Sequence, residues 1–397
     1  MKYIILVGDG MADQPLAQLD ERTPLDAART PNMDFIARNG TLGRVKTIPD
    51  NMSPASDVAN LSILGYDPQK YYTGRGPLEA ANLGVELESD DVAFRCNLIT
   101  ATGDTLMDYS GGHIKSEEAA ILINFVNHHL GTNRIRFYPG ISYRHLMVIK
   151  RGTEELLHDL KCRPPHDITG QSISRNLPKG QGEDIIRELM AASRKLLEKH
   201  EINLVRVDLK ENPANMIWLW GQGRKPAMPA FADKFGLTGS MISAVDLLKG
   251  LAKILGLEAI NVPGATGYYD TNYEGKAAAA LASLKDKDFV FVHVEAPDEA
   301  GHNGDLREKL AAIERFDQYI VGGILSAFKD RDDFRVLVLP DHAIPIAVKT
   351  HTAEPVLFGI FGAGLPKKGF LKYSEKEAQN SELYFDKGHE LMSFFIR

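Results

Sequence analysis

The stretch Arg335-Val-Leu-Val-Leu-Pro-Asp341-His342 is an apolar, β-branched run that stops abruptly on an acid and an imidazole. The pattern recurs. Lys2-Tyr-Ile-Ile-Leu-Val7 runs into Gly8-Asp9-Gly10, and Phe289-Val-Phe-Val-His-Val294 runs into Glu295-Ala-Pro-Asp298, with His302 four residues later. Continuous apolar runs of this length read as strands buried on both faces, as in parallel α/β sheets. In such sheets ligands bind beyond the carboxyl ends of the strands. Three buried strands thus each deliver an acid to one edge, two of them with a histidine close by. Crowded carboxylates and imidazoles cost free energy unless protons or metal ions neutralise them. The pattern predicts a metal site on a doubly wound α/β sheet.

Composition limits the rest. A chain of 397 residues has room for two domains and a large core. A formal charge of −7, with no clustered Lys/Arg tract, argues against a general nucleic-acid partner. Cys96 and Cys162 form no Cys-x-x-Cys pair and read as free thiols of a reducing compartment. The first apolar run is too short for a signal-peptide core, and no window approaches the ~20 apolar residues of a membrane span. The expectation is a cytoplasmic enzyme acting on a small molecule, without a membrane or nucleic-acid partner; the pattern leaves its oligomeric state open.

Strand–helix alternation at both ends predicts a core made of residues 1–110 and 225–397, with an inserted α+β domain at 111–224. Thr30-Pro31-Asn32 opens a helix that Gly40 stops, and a helix follows Ser56, with Val58, Leu61 and Leu64 on one face. Residues 71–77 read as a glycine-rich loop, 117–130 and 184–199 as helices, 160–183 as a long surface loop, and 202–209 as a strand. Ile242, Val245, Leu248, Ala252 and Leu255 stripe one helix; Leu310, Ile313, Phe316, Ile320 and Ile324 stripe another.

The candidate ligands are Asp9, Asp298, His302, Asp341, His342 and His351. Asp298 and His302 are four apart, so one helical turn puts both on one face. This mixed oxygen and nitrogen set suits two divalent ions such as Mn2+ or Zn2+, with Mg2+ a further candidate, and is too rich in nitrogen for calcium. Two-metal sites commonly run phosphoryl transfer. Ser56 is the best side-chain nucleophile: at a helix start its hydroxyl points outward, and the free N–H groups there favour a phosphate.

Together Asp9, Ser56-Asp-Val-Ala-Asn60, Asp298-x-x-x-His302, Asp341-His342 and His351 resemble the alkaline phosphatase superfamily pattern. Within it the chain resembles the cofactor-independent phosphoglycerate mutases of the archaeal type, in these motifs and in Tyr71-Tyr-Thr-Gly-Arg-Gly-Pro77, Trp220-Gly-Gln-Gly223 and Val262-Pro-Gly-Ala-Thr-Gly267. The resemblance implies an alkaline-phosphatase-like core. It implies one ion on Asp298, His302 and His351, and another on Asp9, Ser56, Asp341 and His342. Ser56 would take the phosphoryl group and return it to another hydroxyl of the same substrate, interconverting 2- and 3-phosphoglycerate. His113, Arg144, Asp167, Arg224 and Lys276 are the candidate substrate-binding residues.

One departure bears on the substrate. Where the archaeal mutases are expected to carry an arginine-rich segment, this chain has Asp108-Tyr-Ser-Gly-Gly-His113. Relatives proposed to be homoserine kinases supply an alternative, as does a phosphomonoesterase, or a non-catalytic metal-binding protein that kept the fold. A kinase would have no P-loop here, because Lys276 is preceded by Asp270 and followed by Ala277 where that motif needs Gly and Ser/Thr.

Overall fold

The computed structural model describes all 397 residues and contains thirteen strands. In chain order they are β1 Lys2–Gly8, β2 Thr41–Val45, β3 Val92–Thr102, β4 Thr105–Asp108, β5 Ile135–Ile141, β6 Arg144–Ile149, β7 Met216–Arg224, β8 Gly239–Ile242, β9 Glu258–Ile260, β10 Phe289–Val294, β11 Phe334–Leu339, β12 Val356–Gly362 and β13 Tyr384–Phe385. The chain divides into two units: Met1–Tyr72 with Met228–Arg397, and Thr73–Ala227.

The first unit is built on an eight-stranded sheet of order β13-β2-β12-β11-β1-β10-β8-β9, parallel throughout except for β12, which runs antiparallel to both its neighbours. β1 lies centrally, parallel to β10 and β11. Its residues Ile4 to Val7 are fully buried, as are Phe289–Val294 of β10 and 336–339 of β11, which explains why those strands are mostly apolar without alternation. Val7 is in register with His293 and with Leu339, so all three strands end at one level. That level is where the acids emerge. Helices Tyr273–Ser283 and Leu306–Arg315 bury Ala277, Ala280, Ala312 and Ile313 in the same core as Ile4, Leu6, Val290 and Val338.

The second unit holds a five-stranded sheet of order β4-β3-β6-β5, with β7 also on β3. Its β3, β5, β6 and β7 pair antiparallel, and helices Ser116–Leu130 and Glu183–Leu197 share its core. The sequence reading put an inserted domain at 111–224; this unit spans Thr73–Ala227. Residues 73–110 belong here, because β3 is paired along most of its length by β6 and β7. Gly76 packs so closely on β3 that a Cβ there would lie 2.2 Å from the Ala93 carbonyl oxygen.

Several local expectations change. Residues 71–77 are not all loop: a helix runs from Arg75 to Leu83. The 160–183 stretch contains short helical turns at Pro165–Ile168 and Ile173–Asn176. Ile242 ends β8, and the helix it was grouped with starts at Asp246. Residues Glu201–Asp208 form a helix, not a strand. Its buried face is polar: Asn203 and Arg206 hydrogen-bond to backbone carbonyls, while Leu204, Val205 and Val207 are exposed. An inverted face of this kind defeats a reading by hydrophobic periodicity. The 310–324 stripe is interrupted by a π segment, Phe316–Val321. Asp317 within it accepts the Asn32 and Met33 backbone N–H groups, capping the Pro31–Asn39 helix from another part of the chain.

Candidate metal and nucleophile centre

Asp9 follows β1 in a tight turn. Gly10 there has φ +60°, and a Cβ on it would lie 2.8 Å from the Asp298 Cα. Glycine therefore lets the β1 turn approach the Ala296–Asn303 helix that carries Asp298 and His302. The Gly10 N–H donates to Asp341 Oδ1 at 3.1 Å. Asp341 Oδ2 accepts from Asn60 Nδ2 at 2.7 Å, and the same amide nitrogen donates to the Ser56 carbonyl. The Thr47 hydroxyl donates to the Asp341 carbonyl at 2.6 Å. Asn60 thus ties the Ser56 helix to the end of β11. Ser56 is the first residue of that helix, Ser56–Ile63, and its Oγ stands 3.1 Å from His342 Nε2.

The imidazoles converge on the acids. His342 Nε2 is 3.3 Å from Asp9 Oδ1, 3.6 Å from Asp341 Oδ2 and 4.0 Å from Asp298 Oδ1. His302 Nε2 lies 3.5 Å from Asp298 Oδ2, and His351 Nε2 3.6 Å from Asp298 Oδ1. His302 Nδ1 sits 3.1 Å from the Lys349 carbonyl, which selects the Nδ1–H tautomer and leaves Nε2 free to ligate. Six of the ligand-type residues fall into two groups with atoms within 4.8 Å: Asp298, His342 and His351, and Asp9, His293 and Asp341. His342 lies where the groups meet, and His302 flanks the first, its ring 4.8 Å from that of His351.

His293 was not among the sequence candidates. It is fully buried at the end of β10, with Nε2 3.1 Å from Asp9 Oδ2 and 3.9 Å from Asp341 Oδ2. A lone imidazole in an otherwise apolar strand buried on both faces was the available signal.

The donor set fits metal ions. Asp9 Oδ1, His293 Nε2 and Asp298 Oδ1 are buried without a hydrogen-bond partner, and buried polar atoms left so need a ligand. Burial, then the neighbouring Asp298 and Asp341, hold the Asp9 carboxyl well above the usual range. Burial pushes Asp341 up as well, but the His342 and His293 imidazoles outweigh it and hold Asp341 below that range. Burial lowers His342. A divalent ion bound there would replace the proton that burial favours on Asp9 and would ligate the neutral imidazole that burial favours at His342.

A buried ion network braces the ligand loops. Lys309 Nζ, fully buried, pairs with Asp13 Oδ2 at 2.6 Å and donates to the Ile344 carbonyl at 2.7 Å. Asp13 in turn accepts the Ile346 N–H at 3.2 Å. Lys276 is also fully buried, not presented to solvent as a surface cation would be. Its Nζ donates to the His293 carbonyl at 3.0 Å, and burial lowers its pKa to about 8 against the opposing charges of Glu295 and Asp9.

The other substrate candidates lie in the second unit and are exposed. His113 and Arg144 both flank Tyr143, with the His113 ring 6.4 Å away and the Arg144 guanidinium 5.6 Å away. Asp167 neighbours His166, whose ring touches Tyr109 and Trp220. Arg224 ends β7, and its carbonyl accepts the Thr73 hydroxyl.

Known proteins place the chain. The model of the 2,3-bisphosphoglycerate-independent phosphoglycerate mutase family matches residues 37–203. A Methanosarcina mazei protein of that name is 53% identical, with 100% of both chains covered. A Methanothermobacter thermautotrophicus protein, 2,3-bisphosphoglycerate-independent phosphoglycerate mutase 2, is 50% identical over 100% of this chain and 97% of its own. Among solved structures, a Pyrococcus horikoshii protein superposes with TM-score 0.84 at 30% identity, covering 100% of this chain and 96% of its own. The cofactor-independent phosphoglycerate mutase of Thermoplasma acidophilum gives 0.68 at 26% identity, over 100% and 99%. With relatives half identical from end to end, the chain belongs to the 2,3-bisphosphoglycerate-independent phosphoglycerate mutases.

Proposed function

We propose that this protein is a cytoplasmic enzyme that interconverts 2-phosphoglycerate and 3-phosphoglycerate through a phosphoserine on Ser56, using two divalent ions, Mn2+ or Zn2+. The observation that carries this reading is the placement of Ser56 Oγ, 3.1 Å from His342 Nε2 and at the first turn of its helix, beside the buried acids. Asp298, His302 and His351 would hold one ion; Asp9, Asp341, His342 and Ser56 would hold the other, with His293 as a further donor. When bound, such ions neutralise phosphoryl oxygens and lower the pKa of an attacking hydroxyl.

The protein's own groups do the rest. The Ser56 oxygen forms a bond to phosphorus as the bond from phosphorus to the substrate's C2 or C3 oxygen breaks, and the freed oxygen gains a proton. Reversal from the other hydroxyl restores Ser56, with no net water consumed. With His342 Nε2 given to an ion, the Ser56 proton passes to solvent and the freed oxygen takes one back from it. The N–H groups at the start of the Ser56 helix favour the transferring phosphate. The buried charge of Lys276 offsets the acids at the end of β10.

The test is 31P NMR on the Mn2+-loaded protein, with 3-phosphoglycerate in one tube and ATP with homoserine in another. Formation of 2-phosphoglycerate without free phosphate supports the mutase. Free phosphate alone would make it a phosphomonoesterase, and phosphohomoserine in the second tube alone would make it a kinase.

A further inference from the structure

The helix Glu201–Asp208 turns its polar side inward and its apolar side out, and the inward side is locked. Asn203 Nδ2 donates to the Leu197 and Ala214 carbonyls at 2.9 Å each, and its Oδ1 accepts the Ala214 N–H at 2.8 Å. Arg206 donates to the Asn212 and Gly111 carbonyls at 3.0 Å each and pairs with Glu118 at 2.9 Å. Both residues are buried. Rolling the helix over to hide its apolar side would strand these groups, at a cost of about 1–3 kcal/mol each. Leu204, Val205, Val207 and Leu209 are therefore held in the open, between 49% and 66% exposed.

The apolar face continues onto the neighbouring helix, Ser116–Leu130. Its Glu118 reaches Arg206, and its Phe125 ring packs 4.7 Å from that of His200. Positions 118, 121 and 125 share one side of a helix, so Ile121, 54% exposed, adjoins the same face. Single exposed apolar residues are ordinary, but a continuous patch marks a contact site. The rim carries both signs, with Glu117, Glu201 and Asp208 against Lys199 and Lys210, all exposed. An anionic lipid surface selects for cations, not for this mixture. A second copy of the chain brings the same mixed rim, and an apolar centre inside a polar rim is the anatomy of a subunit interface. A stable dimer takes about 800 Å2 from each partner, more than one eight-residue helix offers, so the side of helix Ser116–Leu130 bearing Ile121 belongs to the contact.

We propose that this face joins two copies of the chain about a two-fold axis beside Val205. Such a contact is self-complementary, so every pairing occurs twice. Antiparallel alignment of the two Glu201–Asp208 helices sets Leu204 against Val207 of the second copy and Ile202 against its Leu209. It also brings Glu201 to the second copy's Lys210. The dimer adds to the mutase reading without depending on it.

The experiment measures the mass of the full-length Mn2+-loaded protein by sedimentation velocity over a concentration series. Wild type is compared with Leu204→Glu and Lys210→Glu; both positions are exposed, so the folded chain tolerates the changes. The expected wild-type mass is an even multiple of 43.8 kDa, and Leu204→Glu halves it. Lys210→Glu weakens association about tenfold, because the pair occurs twice, and adding Glu201→Lys restores it. Mild oxidation of Val205→Cys should link two copies, while Ile141→Cys, equally exposed elsewhere in the second unit, should not link. A monomeric wild type overturns the proposal, and its flotation with phosphatidylglycerol vesicles would give the face to lipid instead. An oligomer whose mass Leu204→Glu leaves unchanged overturns it too. If Leu204→Glu does not fold, the cross-link decides: no link at Val205→Cys, or an equal link at Ile141→Cys, refutes the axis.

Discussion

Ser56 Oγ and His342 Nε2 stand 3.1 Å apart although 286 positions separate them in the chain. Asn60 holds them there: one turn beyond Ser56, its side-chain amide binds both the Ser56 carbonyl and the carboxylate of Asp341, the residue before His342. The proposed nucleophile and its neighbour are therefore registered by a side chain that needs no part in the chemistry.

Ser56→Ala is expected to lower turnover about a thousandfold or more while leaving thermal stability and metal content close to wild type. Mass spectrometry of acid-quenched wild type should find phosphate on the peptide containing Ser56. A variant with full activity would remove the phosphoserine step.

Ligand loss should be countable. His302→Ala is expected to reduce bound metal by about one ion per chain, read by equilibrium dialysis and elemental analysis. His293→Gln should weaken metal binding by roughly 10- to 100-fold, since even groups that only orient a ligand carry that weight. Wild-type stoichiometry in the first variant takes His302 off the ligand set, and wild-type affinity in the second makes His293 a bystander.

Lys309 ties the loop after Asp9 to the loop after His342. Replacing it with Met strands the buried Asp13 carboxylate, at a cost of about 3–5 kcal/mol in chemical denaturation. Adding Asp13→Asn should recover much of that loss. A single variant as stable as wild type would show that the pair is not holding the loops.

His145, buried on β6, accepts the Gly140 N–H at Nδ1, and burial lowers its pKa from 6.5 to about 3. The unfolded chain thus takes up a proton near pH 6.5 that the folded chain refuses until about pH 3. Stability of the second unit should fall as pH drops through that window, by at most about 1.4 kcal/mol per pH unit from this residue. Hydrogen exchange across β5 and β6 at pH 7 and pH 5 reads the effect, and His145→Gln should flatten it. An equal pH slope in the variant assigns the dependence elsewhere.

What could be read from the chain followed from how strictly each position is constrained. β1, β10 and β11 must be apolar on both faces, so their ends, and the acids there, were visible. Asp298 and His302 were legible together because a helix turn links them. His293 was hidden inside an apolar run, and Asn60 inside a helix stripe. The helix Glu201–Asp208 was misread because Asn203 and Arg206 face inward. The start of the second unit was missed because β3 finds its partners, β6 and β7, only through long-range pairing.

The position of β1 at the heart of its sheet has a consequence during synthesis. Both its neighbours are made late: β10 begins at Phe289 and β11 ends at Leu339. At about 5–20 residues per second, the ribosome takes roughly 15–60 seconds after finishing β1 to deliver them. The whole of Thr73–Ala227, with its own core, emerges in that interval. The nascent chain therefore carries an unpaired apolar strand ahead of a segment that can fold first, and that strand is where a holding chaperone has most to protect.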